Sequence, residues 1–265
     1  MTIRYHSMLC FGRHETSGNT ALVVEGFSSD AIERQTLARQ RSVAATVFID
    51  RSSDGKVCLD FYYPHARSPL CLHATLAASA VLFEQHPDST RLEVVTSLRG
   101  QVLQIEKHGE RILVDLQVQA CPPVTIDAQQ AALLLGANAT DLIGAPRLAS
   151  VGSAKLLVEV RNESTLYGLA PDLAGIAAWS QANGVSGLYA WCTTGNDVYA
   201  GRNFNHLDPR LEDAGTGVAA GALAAMLKHD ITLHQGDGLG QPCTLFASYQ
   251  DGIVKVGGRA VADRG

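Results

Sequence analysis

The sequence predicts an α+β fold of two similar lobes, each an antiparallel strand layer wrapped around a central helix. Three observations carry that reading. Two alanine-rich helices, over residues 76–83 and 219–226, are apolar around most of their circumference, as helices enclosed by other structure are. Each opens from a polar turn, Cys71-Leu72-His73-Ala74-Thr75 in the first half and Gly215-Thr216-Gly217 in the second. Around each run short strand-like segments separated by glycine-containing turns, an antiparallel pattern. Pro122-Pro123 is the strongest linker signal, so the expected lobes are 1–118 and 119–265. The sequence leaves open whether the terminal strand stays in the second lobe or crosses to the first.

In chain order, strands are predicted over 3–11 and 21–25, joined by a loop whose Gly18-Asn19 favours a tight turn or an open backbone. Ser28-Ser29 can cap a helix over 30–40. Strands follow at 45–49 and, after Asp54-Gly55, at 57–62. A loop over 64–69 leads to the first central helix, which Pro87-Asp88 stops. Three strand candidates, 92–96, 100–107 and 111–118, complete the first half. The second half begins with a helix from Asp127 to Leu135, ended by Gly136. Strands at 147–151 and 154–160, a helix at 171–182 and paired strands at 188–193 and 197–203 deliver the chain to the second central helix. A hairpin of 245–249 and 253–256 turns at Asp251-Gly252.

The 265 residues are 46% hydrophobic and 18% charged, ordinary for a globular chain able to bury a core. A formal charge of −5 and the lack of a Lys/Arg cluster argue against nucleic-acid binding. No apolar run reaches membrane-spanning length, and MTIRYHSMLCFG carries no apolar signal core, so no membrane partner and a cytoplasmic location are expected. The six cysteines are scattered without a CxxC pair and read mostly as buried thiols.

No HExxH, Cys/His cluster, calcium loop, GxGxxG, Walker or GxSxG motif occurs, so no metal or organic cofactor is expected. The chemistry is therefore sought at the two helix starts, where free amides and the helix dipole favour an anion. His73 there can serve as acid, base or carboxylate ligand, or simply as a core or capping residue. Asp213 can orient an ammonium, exchange a proton, or cap the helix. Cys71 can be a thiol base or an inert buried thiol. Thr16, Ser17, Thr75 and Thr216 can donate to a carboxylate.

Three segments resemble the phenazine-biosynthesis PhzF family, within the diaminopimelate-epimerase-like fold. Thr16-Ser17-Gly18-Asn19-Thr20-Ala21-Leu22-Val23 is similar to its FxGNPxAV segment. Pro69 through Ala78 is similar to LCGHATLAA, with Leu72 where glycine is usual. Arg202-Asn203-Phe204 followed by Leu211 through Ala219 is similar to RxF and EDPVTGSA. The resemblance implies a cofactor-free isomerase, a homodimer, acting on a small anionic or zwitterionic metabolite. It places His73 and Asp213 at substrate-contacting positions and Gly217 in an anion-binding turn, with Val218 in place of serine. Ser17, Gly18, Asn19, Thr75, Thr216, Gly217 and Val218 become the expected substrate-binding set, and His73, Asp213 and Cys71 the catalytic one.

One departure matters most. Ala45-Thr46-Val47-Phe48-Ile49 matches the family's ETAFV segment, in which the glutamate is the main acid–base residue, and alanine cannot exchange a proton. Cys71 also resembles the first cysteine of related two-thiol epimerases, whose second cysteine is here Ala214. The implied function is proton or double-bond migration in a small unsaturated amino-acid-derived carboxylate, a dihydropyrrole carboxylate of secondary metabolism being one such substrate. The alternatives are a non-catalytic small-molecule binding protein and an amino-acid epimerase using Cys71.

Overall fold

Residues 2–41, 43–205 and 212–264 are described in the computed structural model. They divide into two units, Met1–Asp115 with Gly257–Gly265, and Leu116–Val256. In the first unit, β1 (Arg4–Cys10) pairs antiparallel with β2 (Asn19–Glu25), Met8 facing Ala21. Helix α1 (Ala31–Gln40) then carries the chain to β3 (Ala45–Arg51), which lies parallel to β2. β4 (Val57–Tyr62) returns antiparallel to β3, and the two-residue β5 (Arg67–Ser68) pairs with it. Helix α2 (Leu72–Gln85) crosses to β6 (Arg91–Thr96), parallel to β4, and β7 (Val102–His108) and β8 (Arg111–Gln117) complete an antiparallel meander.

The second unit repeats this order. After α3 (Ala128–Leu135) come β9 (Arg147–Ala149) and β10 (Lys155–Glu159), an antiparallel pair. Helices α4 (Glu163–Gly168) and α5 (Leu173–Asn183) lead to β11 (Gly187–Gly195), parallel to β10. β12 (Val198–Asn205) returns antiparallel, with the two-residue β13 (Glu212–Asp213) on its other side. Helix α6 (Gly217–Leu227) crosses to β14 (Ile231–Gln235), parallel to β12, and β15 (Cys243–Gln250) pairs antiparallel with β14. β16 (Ile253–Ala262) starts in this unit and ends in the first, where Met8 of β1 faces Ala262.

The strand layers are thus mixed, which corrects the purely antiparallel expectation. Each parallel pair is joined through a helix, because a parallel connection must travel back along the sheet before the next strand starts. Alternating hydrophobicity reports which face is buried, not which way a strand runs. Strand β14 and helix α4 have no counterpart in the sequence expectations, and β16 runs six residues past the predicted end at 256. Asp30, not Ser28-Ser29, caps α1: its carboxylate accepts from the amides of Ile32 and Glu33, both at 2.9 Å.

Both central helices are enclosed as their composition requires. Every residue of α2 from Leu72 to Phe83 is buried, and α6 is buried at Gly217 and from Ala219 to Ala224. The C-terminal end of α2 is tied to β2 by Gln85, whose amide donates to both Glu25 carboxylate oxygens at 3.1 and 3.0 Å. In α6, small residues permit close approach: a Cβ at Gly221 would come 2.7 Å from a Val151 methyl and 2.8 Å from one of Val256. The opposite face of β10, β11 and β12 packs Leu156, Val158, Leu188, Ala190, Ala200 and Phe204 against α3, α4 and α5.

Candidate active site

In the first unit the predicted residues gather at the start of α2. Cys71 is the residue preceding the helix and has extended backbone angles, φ −142° and ψ 106°. Its carbonyl accepts from both the amide and the hydroxyl of Thr75, at 2.8 and 2.9 Å. Thr75 therefore closes the first helical turn. The Cys71 thiol is left for His73: Sγ lies 3.4 Å from Nδ1 and 3.7 Å from Nε2. Both side chains are buried, at 3% and 5% exposure, so their interaction is little screened by water. Burial alone pushes the thiol up. His73, by its charge and its hydrogen bond, outweighs that, helped by the Ala74 amide and the Tyr63 side chain, and the Cys71 thiol lies below its ordinary value.

The N-terminal segment reaches the same place through Cys10. Its thiol donates to the His73 carbonyl at 3.1 Å, and Cys10 faces Asn19 across β1 and β2. Gly18 has φ +128°, and a Cβ there would meet the Cys10 carbonyl at 2.7 Å, so only glycine fits this turn. Ser17 is buried, its hydroxyl accepting from the His14 amide at 3.0 Å, while His14 and Thr16 are exposed. Ala45 is 1% exposed on the face of β3 opposite the cluster that holds Phe48 and Tyr62 against α1. Position 45 is thus an interior one occupied by a methyl group.

In the second unit, Asp213, Thr216 and Gly217 come together at the start of α6. The Thr216 hydroxyl makes a short hydrogen bond to an Asp213 carboxylate oxygen. Gln235, fully buried on β14, locks the turn: its Nε2 donates to the Asp213 carbonyl at 2.6 Å and to the Thr216 hydroxyl at 3.2 Å, and its Oε1 accepts from the Thr216 amide at 3.3 Å. The Tyr189 hydroxyl donates to the same Oε1 at 3.0 Å. The amides of Gly217 and Val218 belong to the first turn of α6, which a helix cannot satisfy internally. Val218 adds no hydroxyl there. Arg202 faces the other way, forking onto Glu212 at 2.7 to 3.2 Å and donating to the carbonyls of Leu166 and Leu169, and so fixes β13 rather than a ligand. Asp208 lies outside the described residues.

Sequence reading passed over several residues here. Lys155 is 1% exposed, and its ammonium donates to the Ser186 carbonyl at 2.8 Å. Burial pushes it down to about 8 against the opposing pull of the Asp213 charge. A lysine inside the apolar run of β10 was the available signal. Tyr63, Tyr189 and Gln235 carried none, because their roles arise only from register. Among the described residues no group of three or more His, Cys, Asp or Glu could hold a metal, and no helix is long and apolar enough to cross a membrane.

Comparison with known proteins gives a consistent family. The family model described as phenazine biosynthesis-like protein matches residues 10–264. A Salmonella typhimurium protein named as the uncharacterized isomerase YddE is 30% identical over 271 residues, covering 92% of this chain and 91% of its own. The crystal structure of a Bacillus anthracis phenazine biosynthesis protein of the PhzF family superposes with a TM-score of 0.82 at 18% identity, covering 100% of this chain and 98% of the other. A predicted epimerase from Pseudomonas aeruginosa superposes equally well, 0.82 at 23% identity, with 99% and 97% covered.

Proposed function

The chain belongs to the phenazine-biosynthesis-like family, and from that premise we propose that it is a cofactor-independent isomerase that moves a proton, and with it a double bond, within a small unsaturated carboxylate derived from an amino acid. The observation that carries this reading is the buried Cys71–His73 pair, with a thiol below its ordinary value beside an imidazole 3.4 Å away. A thiolate next to an imidazolium supplies both a base and an acid without the glutamate that Ala45 replaces. The thiolate of Cys71 takes a C–H proton acidified by conjugation. The electron pair of that bond moves into the conjugated system, and His73 returns a proton at the far carbon. One C–H bond breaks and one forms, with no change in oxidation state.

Within the second unit, the start of α6 is suited to an anionic group. The amides of Gly217 and Val218, which the helix leaves without internal partners, point along its axis where negative charge is stabilised. Asp213 holds the turn through Thr216 and orients an amine. Cyclic dihydropyrrole carboxylates meet the chemical requirement, since conjugation acidifies the C–H bond and lowers the base strength required to remove its proton. A homodimer in the cytoplasm remains our expectation from the family.

A second reading is non-catalytic binding of such a metabolite, favoured by Ala45 and Val218. Incubating chelator-treated protein with dihydropyrrole and cyclohexadiene amino carboxylates in D2O and following label by NMR separates the two. The isomerase reading expects deuterium at one specific carbon or a migrated double bond. Ligand binding with no label at any carbon would contradict it and favour the second reading.

A further inference from the structure

The α6-facing side of the second unit holds a buried group that the proposed reaction does not yet use. Directly opposed residues in antiparallel strands share a face. Asn203 on β12 faces Tyr189 on β11 and Asp213 on β13, so the three side chains lie on one side of the sheet. Gln235, whose amide holds the start of α6, is paired with Gly201, two residues from Asn203 on the same face. The alternate residues Ala200 and Phe204 point into the core formed with α3, α4 and α5. Asn203 is 0% exposed, and neither its Nδ2 nor its Oδ1 has a hydrogen-bond partner.

A buried carboxamide with both ends unpaired is costly, because the desolvation of each group goes uncompensated. Such a group persists where something else supplies the partners. Nδ2 requires an acceptor and Oδ1 requires a donor, side by side. The adjacent Asp213 carboxylate makes the donor side favourable to a cationic or polarised N–H, and the amides at the start of α6 favour an anion. An α-amino or ring-nitrogen carboxylate meets all of these needs at once.

We propose that Asn203 is a specificity-determining residue that reads the nitrogen of an amino-acid-type carboxylate, its Oδ1 accepting the ligand N–H and its Nδ2 donating to the ligand carboxylate. The inference rests on the isomerase reading for the identity of the site and adds the substrate class: nitrogen must stand beside the carboxylate, and it must carry a hydrogen.

Pyrrole-2-carboxylate and furan-2-carboxylate have nearly the same shape, and only the first has an N–H. Calorimetric titration of the full chain with both is expected to show about a tenfold preference for the pyrrole, the size of one buried hydrogen bond. In Asn203→Leu that preference falls to within about threefold, while furan-2-carboxylate still binds. The melting temperature of the ligand-free variant stays level or rises, because an apolar side chain of similar size replaces an unpaired polar one. Asn203→Ala, which adds no bulk, is the second variant should leucine disturb the fold, and the same loss of preference is expected. Equal affinity of the wild type for both ligands, or a preference that survives in both variants, overturns the assignment and leaves the isomerase reading standing. If neither ligand binds at millimolar concentration, the assignment is overturned; label exchange into a larger substrate would then keep the isomerase reading, and its absence would remove both.

Discussion

At the scale of single residues, two buried titratable groups, Cys71 and Lys155, respond to enclosure in opposite ways. Desolvation favours the neutral thiol of Cys71 and the neutral amine of Lys155, but only Cys71 has a close partner that reverses the effect. For Lys155 the folded value of about 8 lies below the ordinary 10.5. Between those two values the unfolded chain holds more protons than the folded one, so this residue makes stability rise with pH across that window. The gain over the full window is on the order of 3 kcal/mol. Cysteines and tyrosines titrate in the same range, so the informative quantity is the difference between wild type and Lys155→Met in urea denaturation between pH 7.5 and 10, approximate bounds set by the same linkage. The variant is expected to lack the lysine-linked rise, and parallel curves would contradict it. The sequence carried His73, Cys71 and Asp213 because each stands at a helix start, where local rules apply. Lys155, Asn203 and Gln235 acquire their meaning from neighbours in register, which no local rule supplies.

At the scale of elements, α2 and α6 were legible because a helix apolar on all sides has to be enclosed. The direction of the strands was not, since the period of two is the same for parallel and antiparallel neighbours. The five residues of β14 alternate in burial, yet three polar side chains in so short a run conceal a buried strand whose Gln235 organises the start of α6. That organisation depends on an absent side chain. A Cβ at Gly201 would lie 2.2 Å from the Tyr189 hydroxyl, which crosses over Gly201 to reach Gln235. Gly201→Ala is therefore expected to displace Tyr189, break its bond to Gln235 and destabilise the protein by about 1 to 3 kcal/mol through overpacking. It should also weaken carboxylate binding, as the α6 turn loses its lock. Unchanged melting temperature and ligand affinity in this variant would contradict the role given to Tyr189 and Gln235.

At the scale of the whole molecule, the same order of elements occurs twice, strand pair, crossover helix, strand pair, central helix, strand pair, once around α2 and once around α6. The duplication was visible in the sequence as two polar turns opening two alanine-rich helices. The difference between the two helix starts was not, because each carries its own chemistry: a thiol and an imidazole at α2, first-turn amides and a carboxylate at α6. The departures expected from the family resemblance concern both, Ala45 in the first unit and Val218 in the second. In the proposed reaction Cys71 and His73 supply the proton transfer that Ala45 cannot. The direct test is the rate of solvent deuterium exchange into a bound substrate, compared between wild type and Cys71→Ser at matched ligand occupancy. Loss of a general base predicts a fall of about 100-fold or more with the dissociation constant nearly unchanged. Exchange within about threefold of the wild-type rate, in a folded variant, would place the base elsewhere and contradict the account.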